Sequence, residues 1–67
     1  MGFLEVDDTK IRALYQRAWV ESGHGFVNPR QYPYLDRALS IYARANGCTY
    51  DQAYIFAKSG EKMWGQS

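Results

Sequence analysis

Apolar side chains recur at helical spacing between Pro33 and Asn46. They fall at positions i, i+3, i+4, i+7 and i+8, which places all five on one stripe of a helix: Leu35, Ala38, Leu39, Tyr42 and Ala43. Pro33 suits the first turn of a helix, and Gly47 can end it in the left-handed conformation. The pattern therefore predicts a helix over 33–46, with this stripe buried against the rest of the protein.

The same spacing occurs nearer to the N-terminus, in a stripe formed by Ile11, Leu14, Tyr15, Ala18 and Trp19. Three residues ahead of it have short side-chain oxygens that can cap the first turn: Asp7, Asp8 and Thr9. Gly23 can end the helix, so we predict a helix over 8–22. The apolar residues before it are expected to form a strap across the core: Phe3, Leu4 and Val6.

A third helix is predicted over 49–59. Thr49 and Gln52 have capping-box spacing, in which each side chain accepts a hydrogen bond from a free backbone amide of the first turn. The inner stripe consists of Tyr50, Ala53, Tyr54 and Ala57. The two residues after Tyr54 are also apolar, so this helix has no wholly polar side. One further helical turn is expected at 61–64.

The segment 23–33 is predicted to be a loop, because glycines and prolines interrupt any helical period and the residue before each proline is pushed out of helical geometry. Either this loop is anchored to the core or it is a recognition element. Its candidate anchors are Phe26, Val27 and Tyr32. We favour anchoring, because long loops in small domains usually need it.

A length of 67 residues allows one domain, spanning 1–67, near the lower limit for burying a stable core. A hydrophobic fraction of 46% argues against disorder. Because so few residues separate the second and third helices, they must cross sharply. We therefore expect a small all-α domain of three helices, with a helix-turn-helix-like corner between the second and third.

The formal charges almost cancel, since eight Lys and Arg oppose seven Asp and Glu for a net charge of +1. This balance weakens an interpretation based on non-specific attraction to phosphates, for which a clustered basic excess is expected. Cys48 is the only cysteine, which excludes a disulfide within the chain and favours a reducing compartment. No apolar run approaches the roughly 20 residues that cross a bilayer. We expect a cytoplasmic protein that does not bind membranes.

No group of residues has the signature of catalysis, a metal site or a cofactor site. His24 is the only histidine, and no second metal ligand lies at a suitable spacing. Cys48 and His24 could in principle act as nucleophile and base, but a cysteine at a helix corner is usually buried. The Gly23–Gly25 segment lacks the preceding strand and following lysine of a phosphate-binding loop. We therefore predict a non-enzymatic protein without a cofactor.

The favoured function is docking on another protein, as a small adaptor, inhibitor or regulator. Ile41 lies on a second face of the 33–46 helix, flanked by arginines, and these residue types are enriched in interfaces. One candidate docking face consists of Tyr34, Arg37, Ile41 and Arg44, and the other of Tyr54, Ile55, Phe56 and Trp64. A second copy of the chain, in a homodimer, could also cover such surface. Alternatively, Ile41 lies beneath the N-terminal strap or the 23–33 loop.

A helix-turn-helix DNA-binding regulator, acting as a dimer, is the competing hypothesis. Ala43 resembles the small residue at which the two helices of that motif touch, and buried positions of the motif match Cys48, Ala53 and Phe56. DNA binding would use Gln52 as base reader, with phosphate contacts from Arg44, Tyr50 and Lys58. However, the third helix contains no arginine and one acid, whereas base reading favours Arg, Asn, Gln and Lys. A plain helical corner is therefore favoured.

Overall fold

The computed structural model describes residues 6–64, which form three α-helices joined by two loops. The helices are α1 (Asp8–Glu21), α2 (Pro33–Asn46) and α3 (Tyr50–Ser59). A 3₁₀ turn over Pro29–Gln31, which the sequence pattern does not predict, lies in the first loop. The predicted all-α, three-helix fold is confirmed, and each helix boundary lies within one residue of its predicted place.

The helix ends are set by the caps and glycines that the sequence indicates. Asp7 caps α1, because its Oδ1 accepts a hydrogen bond from the backbone amide of Lys10 at 2.7 Å. Both halves of the capping box form at α3. The Gln52 amide donates to Thr49 Oγ1 at 3.0 Å, and the Thr49 amide donates to Gln52 Oε1 at 2.9 Å. Gly47 ends α2 with a left-handed φ of 68°.

The chain after α3 turns back towards the core. The glycine that ends α3 has a left-handed φ of 84°, and residues 61–64 are not helical, so the further turn predicted there is wrong. Lys62 instead forms a 3.0 Å ion pair with Asp8. The Trp64 ring lies edge-on to that of Tyr42, with centroids 6.0 Å apart. The left-handed Gly60 thus ends the helix and lets the following segment contact α1 and α2.

Helix α2 supplies the centre of the core. All five residues of its predicted stripe are buried, and Leu35, Leu39 and Tyr42 are completely so. The buried residues of the other helices are Ile11, Tyr15 and Ala18 on α1 and Ala53, Phe56 and Ala57 on α3. Each helix contacts the other two, so α1 packs across the corner formed by α2 and α3.

The loop between α1 and α2 is anchored at two of its three predicted positions. Val27 is completely buried, and Tyr32 is half-buried against the core. The hydroxyl of Tyr54 donates to the backbone carbonyl of Val27 at 2.9 Å, which ties the loop to α3. Phe26 is 79% exposed, so the prediction that it anchors the loop is wrong. Successive side chains of a non-helical segment point to different sides, and burying Val27 turns its neighbour to solvent.

The predicted N-terminal strap falls mostly outside the described residues, where Phe3 and Leu4 lie. Val6, the one member within them, is half-buried and packs against the core. Between residues 6 and 64, no helix is long and apolar enough to span a bilayer.

Candidate protein-interaction surface

The outer side of α1 and α2 carries two adjoining depressions of about 450 and 400 Å³. Arg37 and Ile41 line both depressions, so together they form one surface, which we name the α1–α2 groove. The part between the helices is also lined by Val6, Lys10, Leu14 and Tyr34, and the part along α2 by Ser40, Arg44 and Ala45. About half of these side chains are apolar, and the charged ones that residues 6–64 contribute are all basic.

Helical geometry brings the lining residues to one side of the molecule. Arg37, Ile41 and Arg44 are separated by four and three residues, so they follow one another along the face of α2 that points away from the core stripe. Lys10 and Leu14, four residues apart on α1, line the other wall. Ile41 is half-buried, whereas both arginines are exposed. The groove therefore presents an aliphatic side chain between two guanidinium groups.

Tyr34 is fixed in the wall of the groove by side chains of α1. Its hydroxyl donates a hydrogen bond to Glu21 Oε1 at 2.7 Å, and the Arg17 guanidinium lies over its ring at 4.4 Å. Arg17 also pairs with Glu21 at 3.4 Å. The bond from Tyr34 lowers the pKa of Glu21, while burial and this same bond raise the pKa of Tyr34 to about 12. The hydrogen bond and the guanidinium contact therefore orient the Tyr34 side chain in the wall of the groove.

The other carboxylates of α1 and α2 are bonded to tyrosines outside the groove. Asp8 Oδ1 accepts from the Tyr42 hydroxyl at 2.7 Å, which lowers the pKa of Asp8. Asp36 Oδ1 accepts from the Tyr50 hydroxyl. Burial, and then the bond to the carboxylate, raise the pKa of both tyrosines. Among the ion pairs of residues 6–64, none involves the basic groups of the groove, which are Lys10, Arg37 and Arg44.

The first predicted docking face is brought together by the fold. Its four residues all line the α1–α2 groove, and they are Tyr34, Arg37, Ile41 and Arg44. Ile41 is the aliphatic member of the four and, like Arg37, lines both depressions.

The second predicted docking face is not a common exposed surface. Phe56 is 5% exposed and stacks on Tyr42 with ring centroids 5.6 Å apart, so its placement on an exposed face is wrong. The reason is the rotation of α3 about its axis, which turns this ring into the core. Trp64 packs edge-on against Phe56, and the Tyr54 hydroxyl is bonded to the first loop. Ile55, at 38%, is the exposed member of the four.

Of the four residues proposed to contact DNA, two are hydrogen-bonded within the fold and two are exposed. The side chain of Gln52 is engaged at both ends, since Oε1 accepts from the N-cap amide and Nε2 donates to the Met63 carbonyl at 3.1 Å. The hydroxyl of Tyr50 is bonded to a carboxylate of α2. Arg44 and Lys58 are exposed. The candidate base reader and one candidate phosphate contact are thus used within the fold.

The two residues considered for catalysis, His24 and Cys48, are each packed against other parts of the fold. His24 adopts a left-handed φ of 65°, and its ring lies against that of Trp19 at a tilt of 30°, with centroids 4.4 Å apart. Cys48 is half-buried in the turn between α2 and α3, and burial raises the pKa of its thiol, which disfavours the nucleophilic thiolate. The described part of the chain contains no group of three or more potential metal ligands.

Two members of the groove, Lys10 and Leu14, are missed by the sequence pattern. The pattern assigns Leu14 to the core stripe of α1 and leaves Lys10 outside that stripe. In the structure Leu14 is half-buried, at the edge of that stripe, and lines the groove with Lys10. Their spacing of four residues is the only local signal, and it does not indicate which part of α2 they face.

Comparisons of the chain with protein-family models, with curated proteins and with solved structures found no match. The shape, residue types and charge of the α1–α2 groove are therefore the basis for a functional proposal.

Proposed function

We propose that this protein is a non-enzymatic interaction module, which docks on another protein through the α1–α2 groove and acts as a small adaptor, inhibitor or regulator. The observation that carries the proposal is the position of Ile41, which lines both depressions between the exposed Arg37 and Arg44. An aliphatic side chain in a concave surface, rimmed by arginines, has the composition of an interface centre. We place the protein in the cytoplasm, because a single cysteine suits a reducing compartment.

The polar groups of the groove favour binding over catalysis. They are basic side chains, the Ser40 hydroxyl and the Tyr34 hydroxyl. A serine nucleophile needs a neighbouring base, and residues 6–64 contribute neither a histidine nor a carboxylate to the lining. Arginine and lysine beside apolar carbon are instead suited to recognising a partner that carries carboxylates.

DNA binding by a helix-turn-helix dimer is the second candidate function. The short connection from α2 to α3, with Gly47 in the left-handed conformation, supports it, as do the exposed Arg44 and Lys58. The hydrogen bonds of Gln52 oppose it, because reading a base would break the cap of α3. This candidate predicts duplex DNA binding that weakens steeply between about 50 and 200 mM salt. The docking proposal predicts little binding at either concentration.

Site-specific photocrosslinking in the native host tests the docking proposal. The photoreactive amino acid p-benzoylphenylalanine is placed at Ser40, which lines the groove, or at Gln16, which is exposed on α1 outside it. We expect one protein to be crosslinked through Ser40 and not through Gln16. Equal yields from both positions, crosslinks to nucleic acid alone, or no crosslinked protein through Ser40 would contradict the proposal.

A further inference from the structure

We infer that the α1–α2 groove binds an amphipathic helix of the partner, whose apolar stripe is flanked by carboxylates seven residues apart. This inference rests on the proposed docking function and names the chemistry of the partner. It is carried by the shape of the groove, the spacing of its arginines and the sign of its charge.

The shape of the groove matches a helix. Leu14 lines the wall formed by α1, and Ile41 and Ala45 lie along α2. Side chains of a third helix can fit between those of two neighbouring helices, as in helical bundles and in helix-in-groove recognition. The apolar anchors of such a helix recur at i, i+3 or i+4, and i+7. The partner's apolar stripe would bury Ile41 and Leu14 together.

The spacing of the arginines fixes where acids belong on the partner. Arg37 and Arg44 are seven residues apart, which is about 10 Å along the axis of α2. A helix that lies along α2 has the same rise per residue, so two of its carboxylates seven residues apart reach both guanidinium groups. Guanidinium and carboxylate groups form paired, charge-assisted hydrogen bonds. Ile41 lies between the arginines, where it meets an apolar side chain of the partner.

The charge of the groove selects an acidic partner over a second copy of the chain or a nucleic acid. The lining has three basic groups although the net charge of the whole chain is +1, because the acids of α1 and α2 do not line the groove. A symmetric dimer through this face would set arginines against arginines. A phosphate backbone would pair with Arg37 and Arg44 but would leave Ile41 without an apolar contact.

Selection from a displayed library of helical peptides tests this inference. The surface positions of the peptides are randomised, and the full chain is the target, with the Ile41→Asp variant used to remove peptides that bind elsewhere. We expect the recovered peptides to carry Leu, Ile or Phe at i, i+3 or i+4, and i+7, with Asp or Glu seven residues apart. Recovered peptides that are basic, or that carry no acids, would overturn the inference.

Charge reversal on the protein then tests the pairing with the arginines. Arg37→Glu and Arg44→Glu, both at exposed positions, should each lower the affinity of the best recovered peptide about tenfold, whereas Lys58→Glu on α3 should not change it. The double variant should bind the same peptide after its two acids are changed to lysine. Unchanged affinity in the arginine variants would overturn the inference.

Three other outcomes identify a different occupant and also overturn it. These are Ile41-dependent self-association in sedimentation, displacement of the peptide by duplex DNA, and peptide binding that appears only in the Phe3→Ser, Leu4→Ser double variant. The last would mean that the chain's own N-terminal residues occupy the groove. If Ser40 still crosslinks to a protein while the recovered peptides lack acids, the docking function stands and only the acidic-helix inference fails. If Ser40 crosslinks to no protein and the recovered peptides lack acids, the docking function and the acidic-helix inference both fail.

Discussion

The hydroxyl of Tyr42 donates a 2.7 Å hydrogen bond to Asp8 across 34 residues of chain, which ties the middle of α2 to the first turn of α1. Between residues 6 and 64 the same kind of bond occurs twice more, from Tyr34 to Glu21 and from Tyr50 to Asp36. These bonds join the helices of a small core. None of the three carboxylates lines the α1–α2 groove, whose charged side chains within residues 6–64 are basic.

Removal of the Tyr42 hydroxyl should destabilise the fold without disturbing its core. The Tyr42→Phe variant keeps the ring that stacks on Phe56 but loses the bond to Asp8. We expect the free energy of unfolding in urea to fall by about 1 kcal/mol, since Asp8 is partly exposed and regains water. Tyr32→Phe is the control, because within residues 6–64 the Tyr32 hydroxyl has no hydrogen-bond partner. An equal loss in both variants would show that the Asp8 bond is not the cause.

Stability should decline at alkaline pH. The folded chain raises the pKa of Tyr34 from 10.0 to about 12, and it also raises the pKa of Tyr42 and of Tyr50. Because folding favours the protonated phenols, their contribution is fully present below pH 10 and is lost as the pH rises through the folded-state values. We expect the urea midpoint to fall between about pH 10 and 12, and Tyr42→Phe to reduce this slope. A midpoint that is independent of pH over this range is the contrary result.

The turn between α2 and α3 requires glycine for its backbone conformation. Gly47 has a φ of 68°, and a Cβ atom placed there would meet nothing within 4 Å. Gly47→Ala should therefore lower the free energy of unfolding by about 1 kcal/mol through backbone strain alone. Gly25→Ala, also with open space but without a positive φ, should be neutral or slightly stabilising. Urea denaturation compares the two, and similar effects would argue against strain at Gly47.

The first loop should depend on Val27 and not on the larger side chain beside it. Val27→Ala removes completely buried methyl groups and should cost roughly 2 kcal/mol of unfolding free energy. Phe26→Ala changes a largely exposed side chain and should cost less than about 0.5 kcal/mol. Thermal unfolding of the two variants measures the difference. A greater loss from Phe26→Ala would show that this ring anchors the loop in solution.

Local signals predict the helices and their ends, whereas the candidate site depends on packing. The five-residue stripe of α2 is buried in full, as its period indicates. Phe56 is misplaced by the docking hypothesis, although the helix-turn-helix spacing marks it as buried, because the period of the ten residues of α3 does not by itself choose between these two rotations. The pattern indicates Ile41 as a docking residue but not its neighbour Leu14, since the two lie on different helices. The tyrosine–carboxylate bonds also join distant residues and leave no periodic signal.

Two matched isoleucine variants test the docking role of Ile41 most directly. Ile41→Asp and Ile55→Asp make the same chemical change on α2 and on α3, and circular dichroism first establishes that both variants are folded. Their affinities for the protein crosslinked through Ser40 are then measured by titration calorimetry. We predict that Ile41→Asp weakens binding by roughly thirtyfold or more, as expected for an interface hot spot, and that Ile55→Asp changes it by less than about threefold. Wild-type affinity in Ile41→Asp, or a loss confined to Ile55→Asp, would contradict docking through the α1–α2 groove.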